Sequence, residues 1–225
     1  MTTPSSPSPW RVALIGECMI ELQKSADGQI RQGFGGDTLN TAAYLSRIGA
    51  PFGTRVSYIS ALGEDGFSLA MRAFWSSEGI DHSLTRALPG RVPGLYFIEL
   101  SPDGERSFSY WRGEAAARDV FEGDEGETLL GNLADFDAIY CSGISLAVLR
   151  ETGRARLLAR LRELHERGTR IIFDCNFRPI LWKGDGTEKP ETNALPWYRE
   201  IMAVADLVFI SRDEIQVLGL PPDTD

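Results

Sequence analysis

The sequence of 225 residues contains only three cysteines, Cys18, Cys141 and Cys175, far apart and without a C-x-x-C spacing. An odd, dispersed set of thiols indicates neither a disulfide framework nor a zinc knuckle, and it fits a reducing compartment. The two histidines, His82 and His165, stand alone, outside any metal-ligand spacing. No stretch approaches the roughly 18 to 20 apolar residues that a membrane helix needs. No Lys/Arg cluster offsets the formal net charge of −9, so the overall field repels nucleic acid and anionic lipid. The opening segment, Thr2 to Pro9, has neither a basic end nor an apolar run; rich in Ser and Pro, it reads as a disordered tail over residues 1–10 rather than a signal peptide. A soluble, cytoplasmic protein is expected. Also absent are a G-x-x-x-x-G-K-[ST] loop, a G-x-G-x-x-G fingerprint at the first helix and a G-x-S-x-G elbow, so any phosphate cradle is of another design.

What is present is enough apolar sequence, 43%, for one large core and one principal domain. Arg11 to Leu22 is an apolar run broken by Gly16 and reads as a buried strand. Gly33 to Gly49 gives a glycine turn, Asp37 and Thr38 as N-cap candidates, an Ala/Leu-rich helix and a closing glycine. Further strands are expected at Arg55 to Leu62, Phe136 to Ser142, Arg170 to Asp174 and Leu207 to Ile210. Helical patterns occupy Gly66 to Ser77, Glu151 to Arg167 and about Ala194 to Val204. Strands alternating with helices imply parallel pairing through crossovers, hence an α/β sandwich. Gly94 to Leu100 and Arg106 to Arg112 break the alternation; joined by a connector containing Asp103-Gly104, they read as an antiparallel hairpin forming a small β flap.

Four groups of residues are candidates for a site. Gly35, Gly36, Asp37 and Asn40 combine close backbone approach, unpaired helix amides and two side chains able to bond hydroxyls, although a plain glycine turn with a cap has the same pattern. In the hairpin, alternation puts Arg106, Phe108, Tyr110 and Arg112 on one face, with Tyr96 in the partner strand. An arginine fork beside two tyrosines suits a carboxylated, hydroxylated ligand; a solvated face is the other reading. Asp174, Asn176 and Arg178 follow a strand end, where open parallel sheets bind ligands, and Arg178 is placed to neutralise a transferring phosphoryl group. Asp174 and Asn176 could equally cap a loop. Ser211 and Glu214 form an S-x-x-E capping box, which already explains them.

Taken together, GECMIEL (16–22), GFGGDTLNTA (33–42), ALGEDGF (61–67), PGLYFIE (93–99), FSYWR (108–112), SGISLA (142–147) and FDCNFRPILW (173–182) resemble the ribokinase-like (PfkB) sugar kinases. The resemblance implies a mostly parallel α/β sandwich in residues 11–225 with lid strands within about 17–34 and 92–112. It implies ATP with Mg²⁺ as phosphoryl donor and a keto-deoxy sugar acid, 2-keto-3-deoxygluconate, as acceptor, in a homo-oligomer associating through the lid strands. By the same likeness Gly36 to Asn40 contact sugar hydroxyls, and Tyr96, Tyr110 and Arg112 grip the substrate. Arg178 meets substrate and phosphates, and Asn176, Ser211 and Glu214 lie on the nucleotide side. Ser211 stands where the family's N-x-x-E motif has Asn. The family's G-A-G-D segment, with its general-base Asp, does not occur, so this chain is expected to be a truncated form without catalytic activity of its own. A kinase of a neutral sugar such as fructose or ribose, or a non-catalytic sugar-binding fragment, are the alternatives.

Overall fold

The computed structural model describes residues 9–25, 27–101, 105–183 and 189–220. Most of the expected tail and the Pro102-Asp103-Gly104 turn lie outside the described residues. In chain order the strands and helices are β1 (Arg11–Ile15), β2 (Met19–Lys24), β3 (Ile30–Gly35), α1 (Asp37–Gly49), β4 (Arg55–Ile59), β5 (Ala61–Leu62) and α2 (Gly66–Ser77). They continue with β6 (Arg86–Ala87), β7 (Gly94–Leu100), β8 (Arg106–Trp111), α3 (Gly123–Asn132), β9 (Ala138–Ser142), α4 (Gly143–Val148) and α5 (Glu151–Glu166). The last four are β10 (Arg170–Asp174), α6 (Pro190–Met202), β11 (Leu207–Phe209) and α7 (Arg212–Val217).

The main sheet is parallel throughout, in the order β11-β10-β9-β1-β4. Both its faces are covered, which explains the unbroken apolar runs. Val12, Leu14 and Tyr140 point to one side and pack with Leu39 and Ala42 of α1 and Met71 and Trp75 of α2. Ala13, Ile15, Ile139, Ile171 and Phe173 point to the other, against Leu129 of α3, Leu157 and Leu161 of α5 and Tyr198 of α6. In the inner strands β1, β9 and β10, period-two alternation thus sorts side chains between two apolar layers instead of between core and water, whereas edge strand β11 leaves Leu207 and Phe209 exposed.

A second sheet, β3-β2-β7-β8, mixes antiparallel and parallel pairs. Here the structure corrects the sequence reading. Arg11 to Leu22 is not one strand: Gly16 and Cys18 bracket a crossing from the first sheet to the second. Thr38 fills the space beside Gly16, where a Cβ would meet its Oγ1 at 2.0 Å. The run Arg55 to Leu62 divides in the same way at Ser60. Apolarity reports burial but not which sheet a residue joins. Strand β3 (IRQGFG) carried no strand signal because its polar and glycine content hides it, yet it pairs with β2 along its whole length. Helix α6 begins earlier than its apolar pattern, at Pro190, a residue suited to a first turn.

Tyr198 ties the α6 layer to the end of β10. Buried completely, it meets Phe173, Phe177 and Trp182 edge-on, and its hydroxyl donates to the Cys175 carbonyl at 2.7 Å. Tyr198→Phe should lower stability by about 1–3 kcal/mol, since it withdraws a buried donor while keeping the ring. A urea denaturation midpoint reads the change; an unaltered midpoint would mean that the carbonyl finds another donor at no cost.

Candidate functional site

The C-terminal ends of β9 and β10 and the start of α1 meet beneath the second sheet. Gly36 begins α1 in extended conformation and no side chain caps the helix; Asp37 is its first residue. This corrects the expected cap: Asp37 instead accepts from Ser142 Oγ at 2.5 Å and Asn176 Nδ2 at 3.0 Å, while Thr38 shares a buried hydrogen bond with Tyr58 at 2.8 Å. A negative charge in the first turn is favourable there. A Cβ on Gly36 would lie 2.4 Å from the Glu17 carbonyl oxygen, so only glycine lets the helix start approach the crossing chain.

Asn176 adopts a left-handed conformation with φ 33°, an uncommon state that asparagine tolerates better than most residues. Behind it the Tyr140 hydroxyl donates to Asp174 at 3.1 Å. Burial, reinforced by the nearby Asp37 charge, raises the Asp174 pKa above the usual carboxylate range.

The second sheet supplies the opposite wall. Antiparallel pairing sets Tyr96 opposite Tyr110 and Ile98 opposite Phe108. Phe108 and Tyr110 lie almost parallel, 15° between planes and 6.3 Å between centroids, with Tyr96 beside both. The Tyr96 hydroxyl is engaged by the Glu21 carboxylate, so this residue offers the cavity its ring. Arg112 donates to Glu17, whose carboxylate is 2% exposed. Burial outweighs the Arg112 attraction and raises the Glu17 pKa.

These walls enclose a cavity of about 330 Å³, within the range of small-ligand pockets. It is lined by Gly36, Asp37, Asn40, Tyr96, Tyr110, Arg112, Asn176 and Arg178, so most of the residues singled out by sequence converge there. Gly35 sits behind the wall: a Cβ at that position would fall 2.2 Å from the Tyr96 hydroxyl. Phe108 of the hairpin face also lines the cavity, as do Glu17 and Ile144, which were not among the candidates. Glu17 had one available signal, a carboxylate next to the glycine that breaks an otherwise apolar run.

Ser211 and Glu214 are elsewhere, on a second cleft of about 520 Å³ at the ends of β10 and β11. Their reciprocal capping box is present, and Glu214 Oε1 also accepts from the Phe177 amide at 2.6 Å, pinning the loop that carries Arg178. Asn176 and Arg178 border both clefts. Among the described residues no three His, Cys, Asp or Glu side chains gather to hold a metal ion, and no helix is long and apolar enough to cross a membrane.

A doubly covered parallel sheet, with a polar cavity at its strand ends beneath a β flap, defines a small-molecule-binding α/β domain. The chain belongs to the pfkB family of carbohydrate kinases, whose model matches residues 11–224. It is 48% identical over 215 residues to a 2-dehydro-3-deoxygluconokinase of Dickeya dadantii, covering 94% of this chain and 67% of that protein. With the enzyme of the same name from Escherichia coli K12 it shares 45% identity over 209 residues, 92% of this chain and 65% of the relative. It therefore spans about two thirds of the length of these relatives. Among solved structures, a fructokinase from Xylella fastidiosa with bound ATP superposes with a TM-score of 0.75 at 23% identity, covering 93% of this chain and 60% of that one. That likeness establishes the ribokinase-like fold.

Proposed function

We propose that the intact protein transfers a phosphoryl group from ATP to 2-keto-3-deoxygluconate, and that this chain carries its sugar-recognition part. The single observation behind this is the convergence of two arginines, two tyrosines, an aspartate and two asparagines on one cavity. Asp37 and Asn40 are suited to the sugar's hydroxyls, the Tyr96 and Tyr110 rings to its carbon faces, and Arg112 to its carboxylate. Relatives of 45–48% identity bearing the name 2-dehydro-3-deoxygluconokinase favour this substrate over a neutral sugar.

The nucleotide is assigned to the cleft holding Ser211 and Glu214, beyond the carboxyl ends of the strands. Arg178, bordering both clefts, is the group able to follow charge from the sugar to the transferring phosphoryl. Glu214 spends both carboxylate oxygens on backbone amides, so its part is to hold the Asn176–Arg178 loop in place. Mg²⁺ would be carried chiefly by the nucleotide's phosphates, as is usual for this ion, and would neutralise their charge. Phosphoryl transfer depends on positioning and electrostatics. The general base and the anion hole are assigned to the remaining third of the relatives' length.

The test is a phosphorylation assay of a version extended to the relatives' full length, with 2-keto-3-deoxygluconate, fructose and ribose. A kcat/KM at least about tenfold higher for the sugar acid is expected from one charge-assisted hydrogen bond. Equal or faster turnover of fructose would remove the substrate assignment.

A further inference from the structure

Among the described residues Glu17 is the only charged side chain that is almost fully buried, at 2% exposure. Its Oε2 accepts from Arg112 Nη2, but Oε1 has no partner, and neither has Arg112 Nε. A side-on guanidinium–carboxylate pair makes two parallel bonds. Here one is made, while an acceptor on one partner and a donor on the other stay buried and unsatisfied. The pair is thus balanced in charge but open in hydrogen bonding, a costly state for a contact that served structure alone.

The surroundings leave Glu17 little else to hold. Beside it β7 presents bare backbone: a Cβ on Gly94 would be 2.5 Å from Oε1. From β2 the neighbouring side chain is the uncharged Met19. The charged groups facing it are Arg112 after β8, Arg118 in the following turn and Asp37 on α1. Arg118 favours the ionised carboxylate and Asp37 opposes it. Both members of the pair also line the cavity.

We infer that Glu17 is a specificity-determining residue: an internal counter-ion that occupies Arg112 when the cavity is empty and yields it to the carboxylate of a bound sugar acid. This rests on the sugar-acid reading above. Once Arg112 turns to the ligand, Glu17 is a buried carboxylate without its cation, and it takes up one proton from solvent. The burial that already raises its pKa makes that uptake easier. Binding the anion is therefore coupled to protonation, so affinity falls as pH rises, whereas a neutral ligand of the same shape leaves the pair intact.

The experiment is titration calorimetry of the 225-residue chain with 2-keto-3-deoxygluconate and with its neutral methyl ester, from about pH 5.5 to 8, where an α-carboxyl remains ionised. Two buffers of different ionisation enthalpy report proton uptake. Wild type should bind the acid with net proton uptake and several-fold more tightly at the low end of the range, and the ester without either effect. Glu17→Gln keeps an acceptor for Arg112 but removes the competing charge. It should bind the acid about fivefold or more tighter at pH 8, a gain of about 1 kcal/mol, with little pH dependence. Acid binding with no proton uptake in wild type, or a Glu17→Gln chain that binds the acid no tighter, would overturn the role of Glu17 alone. If Glu17→Gln does not fold, wild-type proton uptake decides. A wild type that prefers the ester, or does not distinguish the two ligands, would remove the sugar-acid reading itself.

Discussion

Arg112→Ala should weaken binding of 2-keto-3-deoxygluconate by at least about tenfold while leaving its methyl ester nearly unaffected. A hydrogen bond to a charged group contributes about 1.5–3 kcal/mol, and about 1.4 kcal/mol is a factor of ten. The loss should be selective because Arg112 is the cavity's cation on the flap side, while Arg178 lies across from it beside the second cleft. The substitution also strands the buried Glu17 carboxylate, and removing one partner of a buried pair costs about 3–5 kcal/mol of stability. Affinity and stability are therefore separated by measuring both in a Glu17→Gln background. The double variant should recover most of the stability and still fail to prefer the acid. An unchanged acid affinity in Arg112→Ala would show that the guanidinium does not hold the ligand's carboxylate.

Asp37→Ala should do the reverse, weakening acid and ester alike by about tenfold or more. Its carboxylate joins three elements, taking one hydrogen from Ser142 at the end of β9 and another from Asn176 after β10, at the first turn of α1. Loss of these bonds costs about 2–3 kcal/mol after exchange with water. It also frees the Asn176 loop that carries Arg178. A contact to the sugar's hydroxyls is insensitive to the ligand's charge, so the acid-to-ester ratio should stay near the wild-type value. Calorimetry with both ligands reads the ratio directly. A loss confined to the acid would mean that Asp37 acts on the carboxylate through Arg112 and not on the hydroxyls.

Much of this arrangement is legible in the sequence because its parts are local. Gly35 to Asn40 announces a helix start with close backbone approach, and the hairpin's alternation puts Phe108, Tyr110 and Arg112 on one face. Asp174 to Arg178 declares itself by following a strand end. What stays hidden depends on partners distant in the chain. Glu17 looks like an interior position of one long strand until Gly16 is seen to send the chain into a second sheet, and its partner Arg112 is 95 residues away. The role of Asp37 is concealed in the same way: an acid beside a glycine turn resembles a cap, whereas its actual donors come from residues 105 and 139 positions later. Ser142 reads in the sequence as a strand end; it also caps α4, and its bond to Asp37 leaves no separate mark. Strand β3 is specified by pairing with β2 rather than by its own residues, which are largely polar.

The most direct measurement is a crystal structure of the chain grown with 2-keto-3-deoxygluconate. The ligand is expected in the cavity between α1 and the β flap, its carboxylate on Arg112 and its hydroxyls on Asp37 and Asn40. A ligand seated in the cleft of Ser211 and Glu214, or one in the first cavity with its carboxylate turned away from Arg112, would contradict the assignment.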